Sequence, residues 1–216
     1  MPVPIPHTRL VVAALAALSL FAAPAARAQQ ATPPELAAAD SAREACIQAA
    51  DADQRAQADA AADRAEALYG RLQRQLPDDP RPLVGLGQVK TRCRIAFVPM
   101  MAKGALLEES NALYERALEI DPRSWDARFS LAMNHFHTPE FMGRTPDALR
   151  ELQALVAQQG GSAERPSYAL PYLYLGDLYR RTGDAAKAEE TWKQGAALFP
   201  QDTRFAEKLA GVQPGK

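Results

Sequence analysis

Residues 169–202 read ALPYLYLGDLYRRTGDAAKAEETWKQGAALFPQD, and this stretch decides the fold. Tyr172, Leu175, Gly176 and Tyr179 stand at the spacing aromatic-x2-Leu-Gly-x2-Tyr. Ala188 and Trp192 follow as Ala-x3-aromatic, and Pro200 comes after them. Steps of three and four place each set on one helix face. Thr182-Gly183-Asp184 separates the two helices. Gly183 suits a left-handed C-terminal position, and the Asp184 carboxylate can cap the next helix. Pro200 lacks an N–H and ends the second helix. Gly176 and Ala188 are small enough for the two helices to cross closely, while Tyr172, Leu175, Tyr179 and Trp192 fill the space around the crossing.

Working outward from this unit, the same phase recurs. Leu83, Leu86 and Gly87 repeat the first-helix pattern, followed by Ser110, Tyr114, Ala117 and Pro122. Leu131 and Ala132 begin another unit, followed by Ala148, Leu152 and Leu155. Ala65, Tyr69, Leu72 and Pro77 read as the second helix of an incomplete earlier unit. The pattern resembles the tetratricopeptide-repeat (TPR) family. The resemblance implies an all-α, helix-turn-helix solenoid of about three to four repeats with inter-helix insertions. The expected organisation is a leader at 1–28, an N-terminal helical segment at 29–79, a repeat with an insertion at 80–124, a degenerate repeat with a long turn at 125–168, a regular repeat at 169–202, and a capping helix and tail at 203–216.

The degenerate unit departs from the pattern in carrying Arg128 and His135 where aromatics are usual, and Gly160-Gly161 near the usual terminal proline. The insertion Arg94-Ile95-Ala96-Phe97-Val98-Pro99-Met100-Met101 is either a core filler or, if exposed, a partner contact or a lid. Residues 35–75 are rich in Ala, Asp, Glu, Arg and Gln and read as one partly exposed helical stretch, with Thr32-Pro33 as its start.

The N-terminus has the form of a secretory leader. A short basic segment precedes an apolar run at 10–23, and Ala26-Arg27-Ala28 offers small residues for cleavage after Ala28. An exported, periplasmic protein is therefore expected. No later apolar run is long enough to span a bilayer. The formal net charge is −1, and removing the leader's Arg9 and Arg27 takes it to −3. Near-balance gives no electrostatic case for nucleic acid. Cys46 and Cys93 either pair in an oxidising compartment or are two separate buried residues.

Catalytic motifs are absent from the sequence: there is no G-x-S-x-G, P-loop, dinucleotide glycine fingerprint or H-E-x-x-H. A non-enzyme without cofactor or metal is expected. His135, His137 and Glu140 are the best metal candidates, but residues two apart on a helix diverge and Pro139 interrupts the run.

In the TPR family first helices line a concave groove. The resemblance places Val84, Gln88 and Arg92, then Phe129, Met133 and Phe136, then Leu173, Tyr174, Asp177, Arg180 and Arg181 on that face. This set is an apolar floor with basic residues near one end, suited to a protein or peptide partner in the cell envelope. The alternative is that Phe129, Met133 and Phe136 are buried. Some family members hold a C-terminal carboxylate with Lys and Asn at groove positions; Val84, Phe129 and Leu173 stand there instead, so that clamp is not expected. A second reading is a periplasmic solute-binding component. The turn Pro139-Glu140-Phe141-Met142-Gly143 before Thr145-Pro146 resembles turns in TPR subunits associated with transporters.

Overall fold

The computed structural model describes residues 34–211, and every regular element in that span is helical. The expected leader, and the helix start at Thr32-Pro33, lie outside the described residues. The helices are α1 (Pro34–Asp51), α2 (Arg55–Gln75), α3 (Arg81–Arg92), α4 (Met100–Ile120), α5 (Trp125–His137), α6 (Thr145–Gln159), α7 (Ala169–Arg181), α8 (Ala185–Leu198) and α9 (Arg204–Ala210). They form four antiparallel pairs in chain order, and α9 packs on α8. No helix of the described residues is long and apolar enough to cross a membrane.

The single helical stretch expected over 35–75 is two helices, so the first unit is a complete pair. The break at residues 52–54 contains neither Gly nor Pro. Asp53 turns the chain with φ 55°, a left-handed conformation that Asp tolerates better than most residues. One side of α1 is buried: Leu36, Ala39, Cys46 and Ile47 join Tyr69 and Leu72 of α2 in one core cluster. Small residues do this because they let two backbones approach closely. Tyr69 fills the remaining gap and donates its hydroxyl to Asp40 Oδ1 at 2.6 Å.

The small-residue logic holds at each crossing. A Cβ on Gly87 would overlap the Tyr114 ring, and one on Gly176 would overlap the Trp192 ring. Ala65, Ser110, Ala148 and Ala188, at matching second-helix positions, are all buried. In the last pair Gly183 has φ 88°, and Asp184 accepts a hydrogen bond from the Lys187 amide at 3.1 Å. The α7–α8 turn is thus built as its sequence dictates. In α9, Phe205 is 1 % exposed and sits against Gly195, sealing the end of the array. Leu209 packs on the same cluster, and Arg204, Glu207 and Lys208 supply the polar side that a repeat array needs at its terminus.

The α5–α6 crossing is filled differently. Leu152 takes the position of the tyrosines and tryptophan of the other units and is fully buried. Arg128 reaches across to Glu151 at 2.6 Å and donates to the Pro122 carbonyl at 2.8 Å. His135 is 4 % exposed, and its Nδ1 has no hydrogen-bond partner among the described residues. Burial lowers the His135 pKa, outweighing the attraction of Asp147 and Glu151; Arg144 and Arg150 lower it further.

First helices also touch the next first helix, α1 on α3, α3 on α5 and α5 on α7, more extensively than second helices touch one another. A stack closer on one layer than on the other curves toward the closer layer. The first helices therefore lie on the inside of the curve.

The two cysteines are brought together. Cys46 of α1 is bonded to Cys93 at the end of α3, with Cα atoms 5.9 Å apart, and both are buried. The bond ties the first helix pair to the second. Closing a loop of 47 residues restricts the unfolded chain by roughly 4 kcal/mol in the entropic picture.

Candidate functional site

The inner layer carries a continuous run of aromatic rings between α5 and α7. Trp125, Phe129, Met133 and Phe136 recur at steps of four, four and three along α5, so they share one face. Trp125 stacks on Phe129 with centroids 4.8 Å apart. Phe129 meets Tyr174 of α7 at 6.2 Å, and Tyr174 meets Phe136 edge-on at 5.0 Å. Tyr168, in the short 3-10 turn Pro166–Tyr168 before α7, extends the run beyond Trp125 at 5.4 Å. His137 extends it at the other end, 5.1 Å from Phe136.

Phe129, Met133, Phe136, Tyr168 and Tyr174 are half-buried: they pack against the core cluster that contains Leu152, Leu175 and Leu178, and the rest of each side chain meets solvent or an arginine. Such packing fixes the rings in place. Edge-to-face and stacked pairs add about 0.5–1.5 kcal/mol each beyond area burial.

Guanidinium groups stand at both ends of the run. Arg165 lies over Trp125 at 5.2 Å and over Tyr168 at 5.3 Å. Arg181 lies over Phe136 at 4.6 Å and donates to the Phe136 carbonyl at 3.3 Å. Each has one loosely held carboxylate beside it: Asp126 is 3.5 Å from Arg165, and Glu140 is 3.4 Å from Arg181. Both carboxylates are well exposed, so each pair is worth little in water.

The sequence-derived groove set divides in the structure. Phe129, Met133, Phe136, Tyr174 and Arg181 come together as described. Gln88 faces the same layer and donates to the Ser130 hydroxyl at 3.1 Å, and Arg92 is exposed on α3. Val84 and Leu173 are corrections, since each is 5 % exposed. Val84 is covered by Ala127 and Leu131 of the neighbouring α5, and Leu173 packs on Trp192 and Phe205. Asp177 is bound by Lys208 of α9 at 2.7 Å, so the capping helix occupies that part of the face. Arg180 lies over the Trp192 ring at 5.2 Å and pairs with Asp177, so it caps the helix crossing instead of joining the aromatic run.

Trp125, Tyr168 and Arg165 were missed. The first had a signal in its i, i+4 spacing to Phe129. The other two are placed by the 3-10 turn, which the sequence pattern does not reveal.

His135, His137 and Glu140 do not converge. His135 is buried beneath α6, His137 lies against the aromatic run, and Glu140 faces Arg181. Among the described residues no group of three or more His, Cys, Asp or Glu side chains is placed to hold a metal ion.

The insertion is half folded and half exposed. Arg94 fastens it to Asp59, Asp63 and Glu66 of α2, and Ile95, Phe97 and Val98 are half-buried. Met100 and Met101, at the start of α4, are 78 % and 95 % exposed. One surface recess lies along α8, and another lies where α6 and α8 meet Leu175 and Tyr179 of α7. Neither includes a residue of the aromatic run.

No protein-family model matches the sequence, and no curated protein is similar to it in sequence. Solved structures are similar in fold. TTC0263, a thermophilic TPR protein of Thermus thermophilus, superposes with TM-score 0.54 at 13 % identity over 80 % of this chain and 99 % of that one. Residues 41 to the end of MamA from Desulfovibrio magneticus give 0.53 at 16 % identity, covering 83 % of this chain and 84 % of that one. A further MamA structure gives 0.53 at 18 % identity, covering 72 % and 79 %. At these identities the likeness is one of fold: the chain is a TPR-type helical solenoid.

Proposed function

We propose that this TPR-type solenoid is an exported, non-catalytic scaffold that binds a segment of a protein partner on its inner face. One observation carries the reading. The inner layer leaves Phe129, Phe136 and Tyr174 half-exposed in a continuous run fixed from below, whereas Tyr69, Tyr114, Tyr172 and Trp192 are buried at the helix crossings. Rigid, half-buried aromatics suit a binding surface, because little side-chain entropy is lost on contact. Export is supported by the leader-like N-terminus and by the Cys46–Cys93 bond, which persists in an oxidising compartment.

The test is affinity capture from envelope extracts with the native protein and with a Phe136→Ser/Tyr174→Ser variant of equal helical content. Partners identified by mass spectrometry should be retained by the first and lost by the second. Equal retention by both proteins would place the binding surface elsewhere. Recovery of the protein from the periplasmic fraction with Gln29 at its N-terminus checks export.

A further inference from the structure

We infer that the partner segment is an extended stretch of about five residues with an apolar centre and an acidic group at each end; this rests on the inner-face reading above. Three features of the aromatic run point to it. First, its length is set by α5. Trp125 and Phe136 are eleven positions apart, which at helical rise is about 16 Å. An extended chain covers that distance in about five residues.

Second, its ends are both cationic. Arg165 and Arg181 are stacked on the terminal rings, and stacking leaves guanidinium N–H groups directed outward; Arg181 already gives one to the Phe136 carbonyl and holds Glu140 through Nε, so a partner carboxylate there takes the place of Glu140. The middle offers no charge: Phe129, Met133 and Tyr174 lie between the two ends.

Third, each arginine already has an exposed carboxylate of this chain at the outer limit of ion-pair distance, Asp126 at 3.5 Å and Glu140 at 3.4 Å. These are placeholders that a better-placed carboxylate displaces. The contrast with Asp177 is informative. It lies on the same layer but is locked by Lys208 at 2.7 Å, so it neither repels nor attracts an incoming segment. The same two arginines disfavour a segment with basic ends, which would meet like charge at both positions.

The experiment uses fluorescently labelled peptides with blocked termini, Glu-Leu-Phe-Leu-Glu at the core, and partners in which both Glu are Gln or Lys. Binding to the purified protein is followed by anisotropy. The Glu-ended peptide should bind about tenfold or more tighter than the Lys-ended one, with the Gln-ended peptide between. In an Arg165→Glu/Arg181→Glu variant the order should invert. Asp126→Asn/Glu140→Gln should tighten the Glu-ended peptide a few-fold.

An unchanged order in the charge-reversed variant overturns the inference, as does no binding of the Glu-ended peptide at millimolar concentration. Phe136→Ser separates this inference from the reading beneath it. If that variant weakens all three peptides equally and they bind alike, the inner face binds but the acidic ends are wrong. If it leaves a tight Glu-ended complex untouched, the inner-face reading itself fails.

Discussion

The α7–α8 pair and the α5–α6 pair have the same architecture and fill their crossings differently. In α7–α8, Tyr172 and Trp192 are buried at the crossing, and Leu173 of the first helix is covered. In α5–α6 the crossing is filled by Leu152, by the Arg128–Glu151 ion pair and by neutral His135, while Phe129 and Phe136 face the inner layer. The α7–α8 pair holds its crossing with large aromatic side chains and adds Tyr174 to the inner layer, whereas α5–α6 carries its aromatic side chains on that layer and has none at its crossing. The difference teaches that degeneracy of a repeat need not be decay. Loss of the crossing aromatics coincides with their appearance where a partner would meet them.

The largest effect is expected where cohesion is concentrated. Trp192→Ala should lower unfolding free energy by about 3–5 kcal/mol, measured by urea denaturation, because the ring fills the space against Gly176. Phe136→Ser should lower it by less than half as much. Equal losses would break the comparison.

The disulfide comes next. Cys46→Ala/Cys93→Ala should reduce stability by about 2–4 kcal/mol and leave binding on α5 unchanged, since the bond joins α1 to α3. Reduction of the native protein should shift its denaturation midpoint in the same direction.

Smaller again is the ion pair. Glu151→Gln leaves the Arg128 cation half-buried and should cost about 1–3 kcal/mol. Arg128→Met/Glu151→Leu should recover most of that loss, because apolar replacement of both partners removes the desolvation penalty. A double variant as unstable as the single one would show that the pair contributes more than its own desolvation.

The smallest effect is one of pH. His135 titrates below its ordinary value when folded, because it is buried. Above about pH 6.5 it is neutral in both states and contributes no slope. As pH falls below that value the unfolded chain takes up a proton that the folded chain resists, so stability is lost toward its lower folded pKa. Urea midpoints at about pH 7 and about pH 5.5 should therefore differ more for the native protein than for His135→Gln. His137, whose pKa is also lowered by burial and by Arg181, should leave a residual slope.

Much of this organisation was legible in the sequence, because a helix crossing demands small and large residues at fixed spacing. Gly87 with Tyr114 and Gly176 with Trp192 announce it. The break between α1 and α2 was not legible. Asp53 turns the chain in a left-handed conformation without the usual Gly or Pro. Helical projection placed Val84 and Leu173 on the inner face but could not give their depth, which depends on the neighbouring helix. Half the aromatic run was readable from the α5 stripe. Tyr168 and Arg165 were not, because a short 3-10 turn brings them to Trp125.

The central claim is that partners meet α5 and α7, not the outer helices. Photo-crosslinking in the native envelope tests it most directly, with a photoreactive amino acid placed at Phe136 or, as the comparison, at exposed Gln194 on α8. Specific crosslinked products from position 136 and none from position 194 are the predicted result. Products from 194 alone, or the same products from both positions, would contradict it.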